Sequence, residues 1–209
     1  SNNNTISNCY YIFSNYNGIE LDNSHYNTIQ YCVFYQNENN GIDIWQSNDN
    51  VLLNVTVHNN ADDGIYIGES NNNRVDGCKV YSHDDGIGII IKGSYNEILD
   101  SEIYNNTYDN IKIYSGNNNT ISGCDIYGSR DNGIESSSVG LQIHYCNIYG
   151  NGDYGVKNDI LTEDYIINAS YNWWGSPDGP SGVGPGSGDA VTANVIYEPW
   201  ANESYGEIN

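Results

Sequence analysis

The asparagines that open NTI or its equivalent, Asn4, Asn27, Asn50, Asn73, Asn96 and Asn119, fall 23 residues apart at every step. The glycine of an Asn/Asp-Gly-Ile element keeps nearly the same beat. It reads Gly18, Gly41, Gly64 and Gly86, then Asn110 in its place, then Gly133 and Gly155, at intervals of 23, 23, 22, 24, 23 and 22. Two unrelated markers sharing one period define an internal repeat. A unit this short cannot bury its own apolar face, but stacked copies can.

Within each unit the apolar residues alternate. The pairs Ile19/Leu21, Ile42/Ile44, Ile65/Ile67, Ile87/Ile89 and Ile111/Ile113 have period two, as a half-buried strand requires. No unit offers a helical-length stretch with apolar residues three and four apart. Short strands with Gly/Asn corners and a fixed period predict an all-β, right-handed parallel β-helix, since parallel crossovers prefer that hand. About 23 residues per coil give seven to eight coils and a rod on the order of 35–40 Å long, at about 4.8 Å per coil. A leucine-rich repeat shares the period range, but its LxxLxLxxN signature is missing. Residues 1–170 read as coils, 171–200 as a Gly/Pro-rich loop and C-terminal cap, and 201–209 as a tail or the start of a linker.

Four columns invite a chemical reading. Cys9, Cys32, Val55, Cys78, Ser101, Cys124 and Cys146 are small or apolar, as are Tyr11, Phe34, Val57, Val80, Ile103, Ile126 and Ile148 two residues on. Both columns point inward. Coil spacing is wider than a disulfide prefers, so buried free thiols are expected. The next position, Ile12, Tyr35, His58, Tyr81, Tyr104, Tyr127 and Tyr149, turns outward as an aromatic stripe. That stripe is either plain cross-strand stacking or, through Tyr35, Tyr81, Tyr104, Tyr127 and Tyr149, a surface for glycans or a neighbouring protein. Ser14, Asn37, Asn60, His83, Asn106, Ser129 and Asn151 fill a corner as a hydrogen-bonding ladder. His83 then occupies an asparagine's place.

Carboxylates are the strongest functional signal. Asp62-Asp63 precedes Gly64, and Asp84-Asp85 precedes Gly86, so the two pairs are expected one above the other. Four carboxylates so close repel unless solvated or neutralised, and Ca²⁺ is the natural neutraliser for oxygen ligands. An exposed acidic corner is the plainer alternative. Asp63 and Asp85 could also serve as a carboxylate pair on a glycan. The bases nearby, Lys79, Lys92, Lys112, Arg74 and Arg130, form no evident constellation with the acids.

The charge balance, 6 Lys+Arg against 27 Asp+Glu for a net −21, disfavours nucleic acid and anionic membrane as partners. No apolar run reaches membrane-spanning length. The chain starts in mid-pattern without an N-terminal cap, which suggests further coils upstream. Sequons occur at Asn3, Asn54, Asn105, Asn118, Asn168 and Asn202, and they permit glycosylation at an extracellular or cell-surface address.

The closing segment, YNWWGSPDGPSG followed by VIYEPW, covers an end that would otherwise expose strand edges. Together with the NNTI…C and Asn/Asp-Gly-Ile-x-Ile repeats, it resembles the NosD-like right-handed β-helix proteins common on archaeal and bacterial surfaces. The likeness spans nearly the whole chain. It implies a superfamily of carbohydrate-binding and sugar-hydrolase helices, lyases, epimerases and proteins without known activity. The DPHE motif of alginate epimerases has no counterpart, HDDG at His83–Gly86 being no substitute, and the NTD, GHG and RIK motifs of polygalacturonases are missing. The expectation is therefore a non-catalytic extracellular module of a surface or sheath assembly, binding glycans or neighbouring subunits. The alternatives are a polysaccharide lyase or glycoside hydrolase acting at the paired-Asp corner, and a filament-forming subunit stacked end to end.

Overall fold

The computed structural model describes residues 1–10, 13–160, 162 and 165–206. Tyr11 and Ile12, which head two of the expected columns, lie outside the described residues, as do 207–209 of the tail. The chain winds as a parallel β-helix with three sheets. Among the described residues sheet 1 has nine strands, from Thr5–Ser7 to Val195–Ile196, and sheet 2 has six, from Val33–Tyr35 to Asn147–Tyr149. Sheet 3 has nine, starting at Ile19–Asp22 and closing with Gly188–Val191 and Pro180–Gly182. Nearly every strand pairs in parallel with its equivalents one coil away, in register.

That register turns each apolar position into a buried column. Ile29, Leu52, Val75, Ile98 and Ile121 line sheet 1, and Phe34, Val57, Val80, Ile103 and Ile126 line sheet 2. Each fully buried side chain of this kind contributes about 1.5–3 kcal/mol of transfer free energy. The cysteines follow the same logic. All five thiols are free, four are buried and Cys9 is half-buried. Burial pushes the Cys78 thiol up to about 12, so it packs as a small hydrophobe.

Corners are made by single residues in the left-handed region. Between sheets 1 and 2 the position reads Tyr31, Asn54, Gly77, Asp100, Gly123, Tyr145 and Tyr171, all with φ between 45° and 68°. Asn, Asp and Gly tolerate this conformation, whereas the tyrosines there are held by the coils on either side. The NTI asparagines form a second ladder, which sequence reading used only as a marker. In Asn50, Oδ1 accepts from the backbone N–H of Asn27 at 2.8 Å, and Nδ2 donates to Ser24 O at 3.0 Å. The step repeats to Asn119. In the corner after sheet 2, Asn37 donates to Asn60 at 2.7 Å, and the amide N–H of Asn60 reaches His83 Nδ1 at 3.3 Å. Burial holds the His83 imidazole down at about 3, so it stays neutral. It fills an asparagine's slot, as its column implies.

The glycine column explains itself through this ladder. A Cβ on Gly18 would sit 2.6 Å from the Gly41 carbonyl and 2.7 Å from Asn37 Nδ2. Asn110 is tolerated because the next ladder position is the shorter Ser129, and its amide fills the freed space, accepting from Asn106 at 2.9 Å and donating to Tyr127 O at 2.9 Å.

One coil departs from the expected register. Ile89 pairs with Ile65 and Ile91 with Ile67, so the strand pair is Ile89/Ile91, not Ile87/Ile89, and Gly88 rather than Gly86 continues the glycine column. The corner from His83 to Gly88 holds one residue more than the corner from Asn60 to Gly64. The next corner, between Ile91 and Asn96, holds one fewer than that between Ile67 and Asn73. The displacement is thus absorbed within one turn of the helix. Sheet irregularity marks the same place, with a register shift between Ile91 and Lys92.

At the C-terminal end Trp174 is fully buried against the last core layer. Strands Gly188–Val191 and Val195–Ile196 extend sheets 3 and 1 by parallel pairing at Val156↔Val191 and Ile167↔Val195. The cap therefore pairs the edges of sheets 3 and 1, and Trp173 makes a parallel bridge to Asn147 at the end of sheet 2. Ile167 and Ala169 point inward here, while Ile166 is exposed.

Candidate active-site groove on sheet 3

The outward residues of sheet 3 read Glu20, Asp43, Tyr66, Ile90, Lys112, Glu135 and Lys157, one per coil. Beside them runs a second outward column that includes Asp22, Trp45, Gly68 and Lys92. Neither column repeats itself, unlike the apolar columns beneath. Of these columns Ile90, Lys112 and Glu135, with Tyr114 and the preceding corner, line a groove of 380 Å³ whose walls also include Asp63, Asp85 and Tyr108.

Asp63 is the half-buried carboxylate of that groove. Its Oδ1 accepts the Ile87 N–H at 2.9 Å, and its own N–H donates to Asn40 Oδ1 at 3.2 Å. Burial pushes its pKa up to about 6, with Asp62 and Asp43 adding to the rise and the Ile87 hydrogen bond and Lys92 opposing it. Because of the extra residue in the next corner, Asp63 meets Ile87 and not a second aspartate pair. Asp62, Asp84 and Asp85 are exposed. Tyr108 donates to Asp85 at 2.7 Å, and Thr107 donates to the Asp84 carbonyl at 3.0 Å. Of the four paired carboxylates Asp63 is thus the shielded one and the other three are solvated, with Asp62, Asp63 and Asp85 lining the same groove. Among the described residues no set of three or more His, Cys, Asp or Glu side chains is grouped to hold a metal ion.

Two charge systems flank Asp63. One is closed on itself: Lys112 pairs with Asp109 at 3.4 Å and with Glu135, and Lys157 pairs with Glu135 at 2.8 Å and Asp159 at 3.2 Å. Burial tends to raise Glu135, but its two lysines outweigh it and hold the carboxyl below the ordinary range. Asn132 ties Asp109 to Glu135 with bonds of 2.8 and 2.9 Å. The other system is open. Lys92 Nζ donates to Tyr66 Oη at 3.0 Å and lies 5.0 Å from the ring centroids of both Tyr66 and Tyr114.

Tyr66, Tyr108, Tyr114 and Trp45, and the aromatic setting of Lys92, escape a sequence reading that aligns Gly86 with Gly64. That alignment sets Lys92 against the inward Ser70, whereas the true register sets it against the outward column at Gly68. The signal that could have found them is the outward column of sheet 3 read with Ile89/Ile91 as the strand pair.

The aromatic stripe lies on another face, sheet 2. Tyr35, His58, Tyr81, Tyr104, Tyr127 and Tyr149 stack at centroid distances of 5.3, 4.9, 4.8, 4.9 and 5.0 Å, with interplanar angles no greater than 15°. Each ring covers its neighbour's face, so the stripe presents edges and hydroxyls outward. At the cap Trp173 breaks the series, tilted 57° to Tyr149. Of the sequons, Asn3, Asn54, Asn105, Asn118 and Asn202 are exposed and Asn168 is half-buried.

Known proteins place this geometry. A search of curated proteins gave no match. Three solved structures share the fold. The A-module of Azotobacter vinelandii mannuronan C-5 epimerase AlgE6 matches with a TM-score of 0.70 at 16% identity, over 95% of this chain and 58% of that one. A double mutant of the periplasmic alginate epimerase AlgG matches with 0.69 at 18%, over 88% and 47%. The pectate lyase Pel9A matches with 0.52 at 15%, over 84% and 55%. This chain spans about half the length of these structures, and at such identities the likeness establishes the fold, their activities remaining theirs. All three are nevertheless enzymes, and that finding overturns the expectation of a non-catalytic surface module that is not an enzyme. The family model described as a right-handed beta helix region matches residues 1–90 and again 54–161, and the chain belongs to that family.

Proposed function

We propose that the protein is a polysaccharide-active enzyme, a lyase or glycoside hydrolase, working in the groove on sheet 3 with Asp63 as its proton-transfer residue. The observation that carries this reading is the Asp63 carboxyl itself, raised by burial to about 6 at the wall of an open groove. A base is most effective when its pKa lies near the working pH, and paired acidic groups with different surroundings divide acid and base roles. Asp85, exposed and holding the Tyr108 hydroxyl, is the second carboxylate at the same groove. The fold shared with two epimerases and a lyase supports a glycan as substrate. So does the resemblance of the closing segment to NosD-like surface repeats, which also favours a site of action outside the cytoplasm.

Asp63 in its ionised form accepts a proton, from a sugar carbon in elimination or from the attacking water in hydrolysis, and the departing glycosidic oxygen takes its proton from solvent water. The test is incubation with a panel of polysaccharides, reading both new reducing ends and the ultraviolet absorbance of an unsaturated product. Elimination gives both signals, and hydrolysis gives reducing ends alone. Wild-type turnover that Asp63→Asn reduces by about a hundredfold or more is expected for a lost general base. Full activity in that variant would remove Asp63 from the mechanism.

A further inference from the structure

Lys92 is the one lysine among the described residues without a carboxylate partner. Lys79, Lys112 and Lys157 each lie within 4.0 Å of an acid. In a chain with 27 acids and 6 bases, a lysine with no acid within 4.0 Å is unusual by simple availability, although its charge is felt at Asp63. The surroundings of Lys92 are aromatic instead. Its ammonium lies 5.0 Å from the ring centroids of both Tyr66 and Tyr114, and it donates to the Tyr66 hydroxyl at 3.0 Å. Rings attract a cation without neutralising it, so its charge remains available.

The coil before adds a second element. Trp45 stacks on Tyr66 with centroids 6.4 Å apart and planes within 18°. Gly68, between Trp45 and Lys92 in the outward column, leaves room for that arrangement, since a Cβ there would come within 2.6 Å of the indole. The sheet face thus carries a half-buried indole stacked on a phenol ring, with an ammonium that has no ion-pair partner beside that ring. Tyr114, one of the rings that hold the ammonium, also lines the groove that contains Asp63.

We propose that Trp45, Tyr66, Lys92 and Tyr114 form a subsite that selects anionic glycans, with the rings meeting a pyranose and Lys92 receiving its carboxylate or sulfate. The assignment rests on the reading of the groove as glycan-active. It reverses what net charge suggests, because the negative field of the rod is screened within about 8 Å at physiological salt, while a charge-assisted hydrogen bond acts at contact. Lys112 cannot serve in its place, being held between Asp109 and Glu135.

The experiment measures equilibrium binding by tryptophan fluorescence and calorimetry in the Asp63→Asn protein, which removes turnover. Three probes are compared: an oligouronate, a sulfated oligosaccharide without uronate, and a neutral oligoglucan. At least one anionic probe should bind about tenfold or more tightly than the neutral one, the size expected for one charge-assisted bond. Whichever anionic probe binds identifies the carboxylate or the sulfate as the recognised group. Lys92→Gln should erase the preference, Lys92→Arg should keep most of it, and Trp45→Ala should weaken neutral and anionic probes alike. Circular dichroism of each variant establishes that the coils are intact. No preference for an anionic probe, or a preference that survives Lys92→Gln, overturns the proposal. Turnover retained by Asp63→Asn would instead dismiss Asp63 and leave the binding result standing.

Discussion

Sheets 2 and 3 turn opposite kinds of face outward from the same core. On sheet 2 one residue type recurs coil after coil, and its rings stack at about the strand spacing until their faces are covered. On sheet 3 no residue type recurs on successive coils of the outward columns, and the charges, phenols and indole they present belong to different coils. Repetition satisfies the fold, since like side chains in register stabilise each other along the rod. A site needs different groups converging on one point, and in a solenoid that means breaking the column. The inserted residue near Gly86 lies where the break is greatest, and it turns Asp63 toward the Ile87 amide.

The comparison is tested most severely at Asp63 and Tyr104 together. Asp63→Asn should lower turnover by about a hundredfold or more, whereas Tyr104→Leu should leave it within about twofold, because an interaction outside the site contributes nothing to the transition state. Wild-type rate should also climb as pH rises through about 6, since Asp63 must be ionised to accept a proton. A rate that responds to Tyr104 and ignores Asp63 would assign the two faces the other way round.

Beneath both faces the framework should respond to ladder substitutions equally. Asn73 accepts from the amide of Asn50 at 2.9 Å, donates to Ser47 O at 3.0 Å, and is almost fully buried. Asn73→Ala orphans those groups and should cost about 2–4 kcal/mol, read by chemical denaturation. A loss well under 1 kcal/mol would mean that water enters the corner and replaces the amide.

Much of this framework was legible in the sequence because it depends on periodicity alone. The 23-residue beat, the inward cysteines, the tyrosine stripe and the slot of His83 all follow from alternation and register. The groove was not, for a specific reason: its residues are defined by which coil they depart from. Aligning Gly86 with Gly64 misplaces Lys92 by two positions, against Ser70 instead of Gly68, and no propensity rule distinguishes Gly86 from Gly88 as the column glycine. The space test does, because Gly88 faces the Asn106 amide as Gly18 faces that of Asn37. The role of the NTI asparagines was hidden for a related reason, since a ladder exists only between coils.

The stacked face should show a smaller thermodynamic effect and no chemical one. Tyr104 is sandwiched between Tyr81 and Tyr127 at 4.8 and 4.9 Å. An aromatic pair is worth about 0.5–1.5 kcal/mol beyond its buried area. Tyr104→Leu keeps the apolar contact with the sheet but loses two such pairs, for an expected cost of about 1–3 kcal/mol. Binding of neutral and anionic oligosaccharides should stay as in the wild type. A loss of glycan affinity here would show that the edges and hydroxyls of the stripe make contacts of their own.

The smallest effect has the most informative sign. The Asp63 carboxyl is raised from its ordinary 3.8 to about 6, so the folded chain holds this proton more tightly than the unfolded chain does. That advantage is complete below the unfolded value and is lost as pH rises through 6. Above pH 6 the folded protein carries an ionised acid in a place that disfavours it. Asparagine keeps an acceptor for the Ile87 N–H and never ionises. Asp63→Asn should therefore match wild-type stability near pH 4 and exceed it at pH 8, by about 1 kcal/mol once solvent screening at a half-buried site is allowed for. A group that is structural should destabilise when replaced, as Asn73 and Tyr104 are expected to do, whereas one held for chemistry stabilises the fold when its charge is removed. Equal stability at both pH values would show that the groove solvates Asp63 freely, and the acid limb of the rate profile would then have to come from another residue.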